Sequence, residues 1–302
     1  MEKAIGNIFI DFWDVLKQTF IKWNEIDPFR QSAIVAFYAI FSLPALLFII
    51  IFVAGYFWGE DAIEGKISEE IAGMIGSEAA NIIEVMVAGA AEQEDSQLMF
   101  YIGLAIVLFT STTVFYHLQK SLNRVWGIEA QPEKAWLKYL IDRVFSFGMV
   151  LSIGFLMLIS LVVTSLLTAF GNWLQEYVPD VLMVIFHILN ILISLAVITT
   201  LFALMFKVLP DAKIKWKSVW IGSFVTAILF EIGKYALSLY FGETDPASAY
   251  GGAGAIVLIL LWVSYVCLIL FFGAEFTLQY AKKFGHGVKL KEGAKWVGIQ
   301  KE

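Results

Sequence analysis

Six long apolar runs dominate the pattern of hydrophobic and polar positions along the chain. A membrane-spanning helix needs about 20 apolar residues, whereas a strand of a membrane barrel alternates over only about ten. Each run reaches the helical length and most carry no charge through their centres, which predicts an all-α, polytopic integral membrane protein with six transmembrane helices. We assign the spans to residues 31–58, 98–118, 144–170, 181–206, 219–241 and 253–281.

Two further segments are amphipathic without being long enough in apolar residues to span a membrane. In residues 1–30, apolar side chains recur every three or four positions, which predicts one apolar helix face. This helix either lies flat on the membrane surface or packs against the bundle. Residues 60–97 carry ten acidic side chains against Lys66 alone and predict a helical segment between spans one and two. The apolar positions of the first segment are Ile5, Phe9, Phe12, Leu16, Phe20 and Trp23.

The basic residues give the predicted orientation. Of the 21 lysines and arginines, 19 lie before the first span, after the last, or in the loops that follow spans two and four. Because short loops rich in lysine and arginine stay on the cytoplasmic side, both ends of the chain are predicted to be cytoplasmic. Residues 1–30 then form a cytoplasmic amphipathic helix and 282–302 a cytoplasmic basic tail, with the 60–97 segment on the extracytoplasmic side.

Composition agrees with lipid as the main solvent of this chain. Hydrophobic residues make up 59% and charged residues 16% of the sequence, and the mean hydropathy is +0.76. Soluble domains are nearer one quarter charged. The net charge of -6 argues against nucleic acid as a partner, since its recognition needs a basic face. We expect the lipid bilayer as the principal partner, with envelope proteins or further copies of the chain as additional candidates.

Charged and polar side chains at membrane depth are the strongest functional signal. Glu231 and Lys234 fall near the middle of the fifth span, and because they are three residues apart they share one helix face. Ionisable groups at this depth are costly and mark pairing, a wet cavity or a transport route. The candidate intramembrane polar site comprises Glu231, Lys234, Glu275, His187, Asn190, Thr110, Thr113 and His117.

Each of these candidates also has a purely structural interpretation. In this interpretation, Glu231 and Lys234 form an ion pair whose two charges neutralise each other, and Glu275 pairs with Lys282 near the membrane surface. The threonines bond to their own helix backbone, and His187 bonds to a neighbouring helix. The sequence leaves the functional and structural alternatives open.

Motifs for catalysis are missing from the sequence. The three histidines, His117, His187 and His286, are widely separated, and neither an H-E-x-x-H nor a phosphate-binding G-x-x-x-x-G-K-[ST] motif is present. We therefore expect no enzyme, no catalytic residues, no metal site and no cofactor.

Four stretches resemble the YihY/BrkB family of bacterial inner-membrane proteins. The resemblance covers most of the chain, and the last stretch, with its Ala-Tyr-Gly and Gly-Ala-Glu signatures, is the most specific. The resemblance implies a polytopic protein of the bacterial cytoplasmic membrane. It implies no catalytic residue set, although members of the family have also been called ribonucleases. The stretches are DPFRQSAIVAFYAIFSLPALLF from Asp27, LQKSLNRVWGI from Leu118, VLPDAKIKWKSVWIG from Val208 and SAYGGAGAIVLILLWVSYVCLILFFGAEF from Ser248.

The leading functional hypothesis is a transporter or permease that does not use ATP, of unknown substrate. In this hypothesis, Glu231 binds a proton or cation, and Lys234 modulates that binding as the partner of Glu231. Glu275 is the carboxylate of the inner gate. The alternative is a lipid-handling protein or a membrane scaffold for envelope assembly, suggested by the amphipathic first helix and the acidic 60–97 segment. A ribonuclease is disfavoured.

Overall fold

The protein is mostly helical. The computed structural model describes residues 2–42, 97–131, 134–175, 181–244, 254–285 and 287–297. A turn at Ile26 and Asp27 separates the first two helices, and Asp27 adopts the left-handed backbone conformation (φ 55°) that aspartate tolerates better than most residues. The helices are α1 (Glu2–Glu25), α2 (28–42), α3 (Gln97–Val125), α4 (Ala135–Gln175), α5 (Val181–Val208), α6 (Trp216–Thr244) and α7 (Gly254–Phe284).

Four described helices are long and apolar enough to cross a membrane. They correspond to the last four predicted spans, and α3 covers the predicted second span as a helix. The rest of the first span and the predicted 60–97 segment lie outside the described residues, so the count of six stays a prediction. The membrane-crossing stretches are Trp136–Leu156, Ile191–Val208, Trp216–Leu237 and Ile256–Phe284.

The helix that contains the predicted third span begins before residue 144. Helix α4 begins at Ala135 and has 41 residues. At 1.5 Å per residue such a helix is about 60 Å long, roughly twice the thickness of the hydrocarbon layer. Hydrophobicity predicts only the apolar part of this helix, which suits lipid. The helix continues beyond that part because its other side chains contact protein or water.

Helices α3 to α7 pack against one another in the order in which they follow along the chain. Each of α3 to α7 contacts the next along the chain, and α7 returns to contact α3. The largest buried side chains, Trp126, Phe206 and Phe271, belong to the described core, and the Trp126 Nε1 donates a hydrogen bond to the Ala274 carbonyl over 2.9 Å. We call the end of the bundle that contains Trp126, the α5–α6 loop and the chain after α7 the basic end.

Short strands join the chain after α7 to two loops of the basic end. Strand β1 (Ile128–Ala130) pairs antiparallel with β4 (Ala294–Trp296), and β2 (Ala212–Lys213) pairs antiparallel with β3 (Lys289–Leu290). The all-α prediction therefore describes the bundle but omits these strands. Helix α7 also continues to Phe284, beyond the predicted end of the sixth span at residue 281.

Helix α1 packs lengthwise on α7. Phe12 meets Phe276 edge to face with ring centroids 5.9 Å apart, and Lys283 forms ion pairs with Asp11 and Asp14 at 2.9 and 3.0 Å. Of the two sequence-based alternatives, the structure shows packing against the bundle. Trp13, next to Phe12 on α1, remains 64% exposed.

Helices α6 and α7 approach closely through small residues. A Cβ added to Gly222 would lie 1.8 Å from the Thr277 Oγ1, and one added to Gly273 would lie 1.9 Å from the Thr226 Oγ1. Thr226 and Thr277 donate hydrogen bonds to the carbonyls of Gly222 and Gly273, each on its own helix, over 2.7 Å. This crossing fixes the relative position of the helices that carry Glu231 and Glu275.

Candidate functional site

Glu231 and Lys234 form the ion pair that their spacing predicts. The Lys234 Nζ lies 2.8 Å from the Glu231 Oε2, one helical turn away on α6. The side chains are 39% and 33% exposed for Lys234 and Glu231, so the pair lies on the surface of the helix bundle and is only partly covered. The two charges offset one another, which lowers the cost of placing them within a membrane-crossing helix.

One oxygen of Glu231 is left without a donor. Its Oε1 is buried and accepts no hydrogen bond from any described residue. Beside it along α6, the Tyr265 hydroxyl of α7 occupies the space next to Gly233, where an added Cβ would lie 1.2 Å away. Buried carboxylate oxygens are normally hydrogen-bonded. An unpartnered one is chemically able to take up a proton or contact a cation.

The threonines of α3 bond to their own helix and to one arginine. Thr112 and Thr113 donate to the Phe109 carbonyl over 3.0 and 2.9 Å. The Arg143 Nη1 of α4 donates to both threonine hydroxyls, over 2.9 and 3.0 Å. The structural interpretation therefore describes this cluster, and Arg143 extends it to the neighbouring helix. Thr110 lies on the same helix and is half-buried.

The other predicted site residues lie in separate surroundings. His117 stacks on the Tyr38 ring with centroids 3.5 Å apart, which joins α3 to α2. Glu275 is 2% exposed and accepts a hydrogen bond from the Gln279 Nε2 over 2.6 Å. His187 and Asn190 belong to α5, and the prediction for their side chains lies outside the described part of the structure.

The predicted polar residues do not meet in one cluster within the described chain. No hydrogen bond, ion pair or ring contact described there joins the Glu231 pair to Thr113, His117 or Glu275. The described residues also contain no group of three metal-ligating side chains. The Glu231 pair, with its open carboxylate oxygen, is therefore the strongest of the predicted candidates.

A buried polar cluster at the basic end was not predicted from the sequence. We call Gln119, Asn123, Lys138, Asp142 and Asp211 the Asp211 cluster. The Lys138 Nζ lies 2.7 Å from Asp142 and 2.6 Å from Asp211, and both carboxylates are largely buried. Asn123 exchanges two hydrogen bonds with Asp211, each 2.8 Å long. The Gln119 amide donates to Asp142 over 3.3 Å.

The Asp211 cluster also holds the chain that follows α7. The Lys291 backbone N–H donates to the Asp211 carbonyl over 3.0 Å, and its Nζ donates to the Val208 carbonyl over 3.1 Å. Burial lowers the pKa of Lys291, and Asp211 acts in the opposite direction. Helices α3 and α4, the α5–α6 loop and the chain after β3 thus meet at one polar centre. The stretches from Leu118 and Val208 contain three of its members, but their spacing gave no sign that they would meet.

Comparison with known proteins gives a family match over most of the chain. The family model described as Virulence factor BrkB matches residues 19–295. No solved structure matches the chain.

Several curated bacterial proteins are similar over part of their length. A UPF0761 membrane protein of Verminephrobacter eiseniae is 26% identical over 177 residues, which are 58% of this chain and 40% of the relative. The UPF0761 membrane protein YihY of Salmonella typhimurium is 27% identical over 66% of this chain and 64% of its own length. A UPF0761 membrane protein of Cronobacter sakazakii is 29% identical over 67% and 65%. The matched regions thus span about half of the relatives' lengths.

Proposed function

Because the chain belongs to the Virulence factor BrkB family, whose curated relatives are described as membrane proteins, we propose that it is a permease that does not use ATP. The proposal depends on one observation. A membrane-crossing helix carries the Glu231–Lys234 ion pair, and one Glu231 oxygen is buried without a donor.

The chemistry of this pair suits a proton or a small monovalent cation. Lys234 holds one Glu231 oxygen, which leaves the other to bind and release the transported species. Because Lys234 is only three residues away on the same helix, protonation of Glu231 or arrival of a cation weakens the ion pair and allows Lys234 to move.

We expect Glu231→Gln to reduce ion flux at least about tenfold, since the amide keeps the shape of the side chain and cannot titrate. The purified protein is reconstituted in liposomes that contain a pH-sensitive dye. Proton flux is measured under an imposed pH gradient, and Na⁺ and K⁺ gradients are measured in separate arms with the corresponding ion-sensitive dyes.

Glu292→Gln is the matched control, because Glu292 is exposed in a turn after β3 and the change removes the same charge. Its flux should equal that of the unmodified protein. Equal flux for the Glu231→Gln protein, or flux no greater than that of protein-free liposomes in every arm, would contradict the transport proposal.

We also propose that the protein lies in the bacterial cytoplasmic membrane with its basic end facing the cytoplasm. Lys217 is exposed at this end and Cys267 is buried, so the native protein should not react with a membrane-impermeant maleimide. Lys217→Cys should be labelled in inverted vesicles and protected in intact spheroplasts, and Glu78→Cys should show the reverse. Labelling of Lys217→Cys in intact spheroplasts would contradict the proposed orientation and place the basic end outside the cytoplasm.

A further inference from the structure

The outward face of the α3–α4 pair holds two cations against one aromatic ring. The Lys120 Nζ lies 4.5 Å from the centre of the Tyr116 ring, and the Arg143 Cζ lies 5.4 Å from the same centre. Arg143 also stands 4.2 Å from the centre of the Phe109 ring. Rings stabilise a cation through their negative faces but do not neutralise its charge.

The acceptors that hold Arg143 in place are all neutral. Its Nε and Nη2 donate to the Tyr139 hydroxyl over 3.2 and 2.8 Å, and its Nη1 donates to the Phe109 carbonyl and to two threonine hydroxyls. Within the described residues, neither Arg143 nor Lys120 forms an ion pair with a carboxylate. The guanidinium is therefore fixed in position, one of its Nη2 hydrogens has no described acceptor, and no described carboxylate pairs with its charge.

This charge lies among side chains that suit lipid. Val144 is 71% exposed and Phe145 is 58% exposed, directly after Arg143 on α4, and Phe109 is 55% exposed on α3. The first two belong to a membrane-crossing stretch of α4, so this face meets the bilayer and not a soluble partner. At the predicted cytoplasmic side, the bilayer presents anionic headgroups to basic pockets between helices.

We propose that Lys120 and Arg143 form a binding site for the phosphodiester headgroup of an anionic phospholipid. Arg143 recognises one phosphate oxygen through its remaining N–H, and Lys120 provides a second, mobile charge. The acyl chains of the same lipid lie along Phe109, Val144 and Phe145. The site is separate from Glu231 and does not depend on transport.

The test compares lipid binding by delipidated protein in detergent, using native mass spectrometry with phosphatidylglycerol and phosphatidylcholine. The native protein should retain phosphatidylglycerol preferentially. Lys120→Gln and Arg143→Gln should each weaken that binding by about fivefold, the effect expected of one basic charge near a membrane surface. Lys217→Gln, which removes an exposed charge from α6 at the same end, should leave it unchanged.

The exposed lysine gives a test that does not depend on folding of the arginine variant. Lys120 is exposed, so Lys120→Gln tests the site even where Arg143→Gln fails to fold. Equal retention of the two lipids by the native protein, or unchanged phosphatidylglycerol binding by Lys120→Gln, would overturn the proposal. Displacement of phosphatidylglycerol by millimolar inorganic phosphate would assign the site to a soluble anion and would likewise overturn the lipid assignment.

Discussion

Lys138→Met is expected to lower the free energy of unfolding by about 3–5 kcal/mol, the usual cost of removing one partner from a buried ion pair. Lys138 is the cation that bridges Asp142 and Asp211, and both carboxylates are largely buried. Methionine keeps the length of the apolar stem, so the loss arises from the charge and its hydrogen bonds. Denaturant titration in mixed micelles, followed by tryptophan fluorescence, measures the change.

Two further variants separate this effect from a general loss of lysine. Lys295→Met breaks the pair with Glu129, whose side chains are 48% and 55% exposed, and should cost at most about 1 kcal/mol. Adding Asp211→Asn to Lys138→Met should restore part of the stability, because one uncompensated carboxylate is removed. Equal losses for Lys138→Met and Lys295→Met would mean that the Asp211 cluster contributes little.

Gly273→Ala is expected to cost about 1–3 kcal/mol, the range for adding a methyl group to a tightly packed core. The new Cβ would lie 1.9 Å from the Thr226 Oγ1 and 2.8 Å from the Thr226 Cβ. Since Thr226 is fully buried and bonded to the Gly222 carbonyl, α6 and α7 must separate to make room. The same titration measures the loss.

Gly148→Ala supplies the matched control for this crossing. Gly148 is also helical, and a Cβ added there would meet no atom within 4 Å, so alanine should be neutral or stabilise by up to about 1 kcal/mol through its helix propensity. Combining Gly273→Ala with Thr226→Gly removes the clash and should recover part of the loss, because the new glycine itself costs about 0.5–1 kcal/mol within α6. A stable Gly273→Ala protein would show that the α6–α7 crossing tolerates wider spacing.

The Glu231–Lys234 contact could be predicted because it is local. Residues three apart on a helix must be neighbours, whatever surrounds them, and the contact measures 2.8 Å. Thr112 and Thr113 bond to carbonyls three or four residues back for the same reason. The grouping of Glu231 and Thr113 with Glu275 and His117 in one candidate site was not local, and the described contacts place these residues in separate surroundings.

The Asp211 cluster shows what spacing cannot reveal. Asn123 and Asp211 are 88 positions apart, and they meet because α3 and the loop after α5 converge at the basic end. Likewise, the sequence shows Arg143 only as one of several basic residues in the loop before the predicted third span. Only the packing of α4 on α3 shows that it donates to hydroxyls 30 and 31 positions earlier.

The sequence by itself determined the solvent of this protein and its helical character, because lipid selects long apolar helices through composition and length alone. It also indicated the family. The tertiary structure decided that α1 packs on α7, that the chain after α7 pairs with two loops, and that Lys138 bridges two carboxylates. These contacts join distant parts of the chain, and their energies depend on burial and geometry, which exist only after the helices have packed.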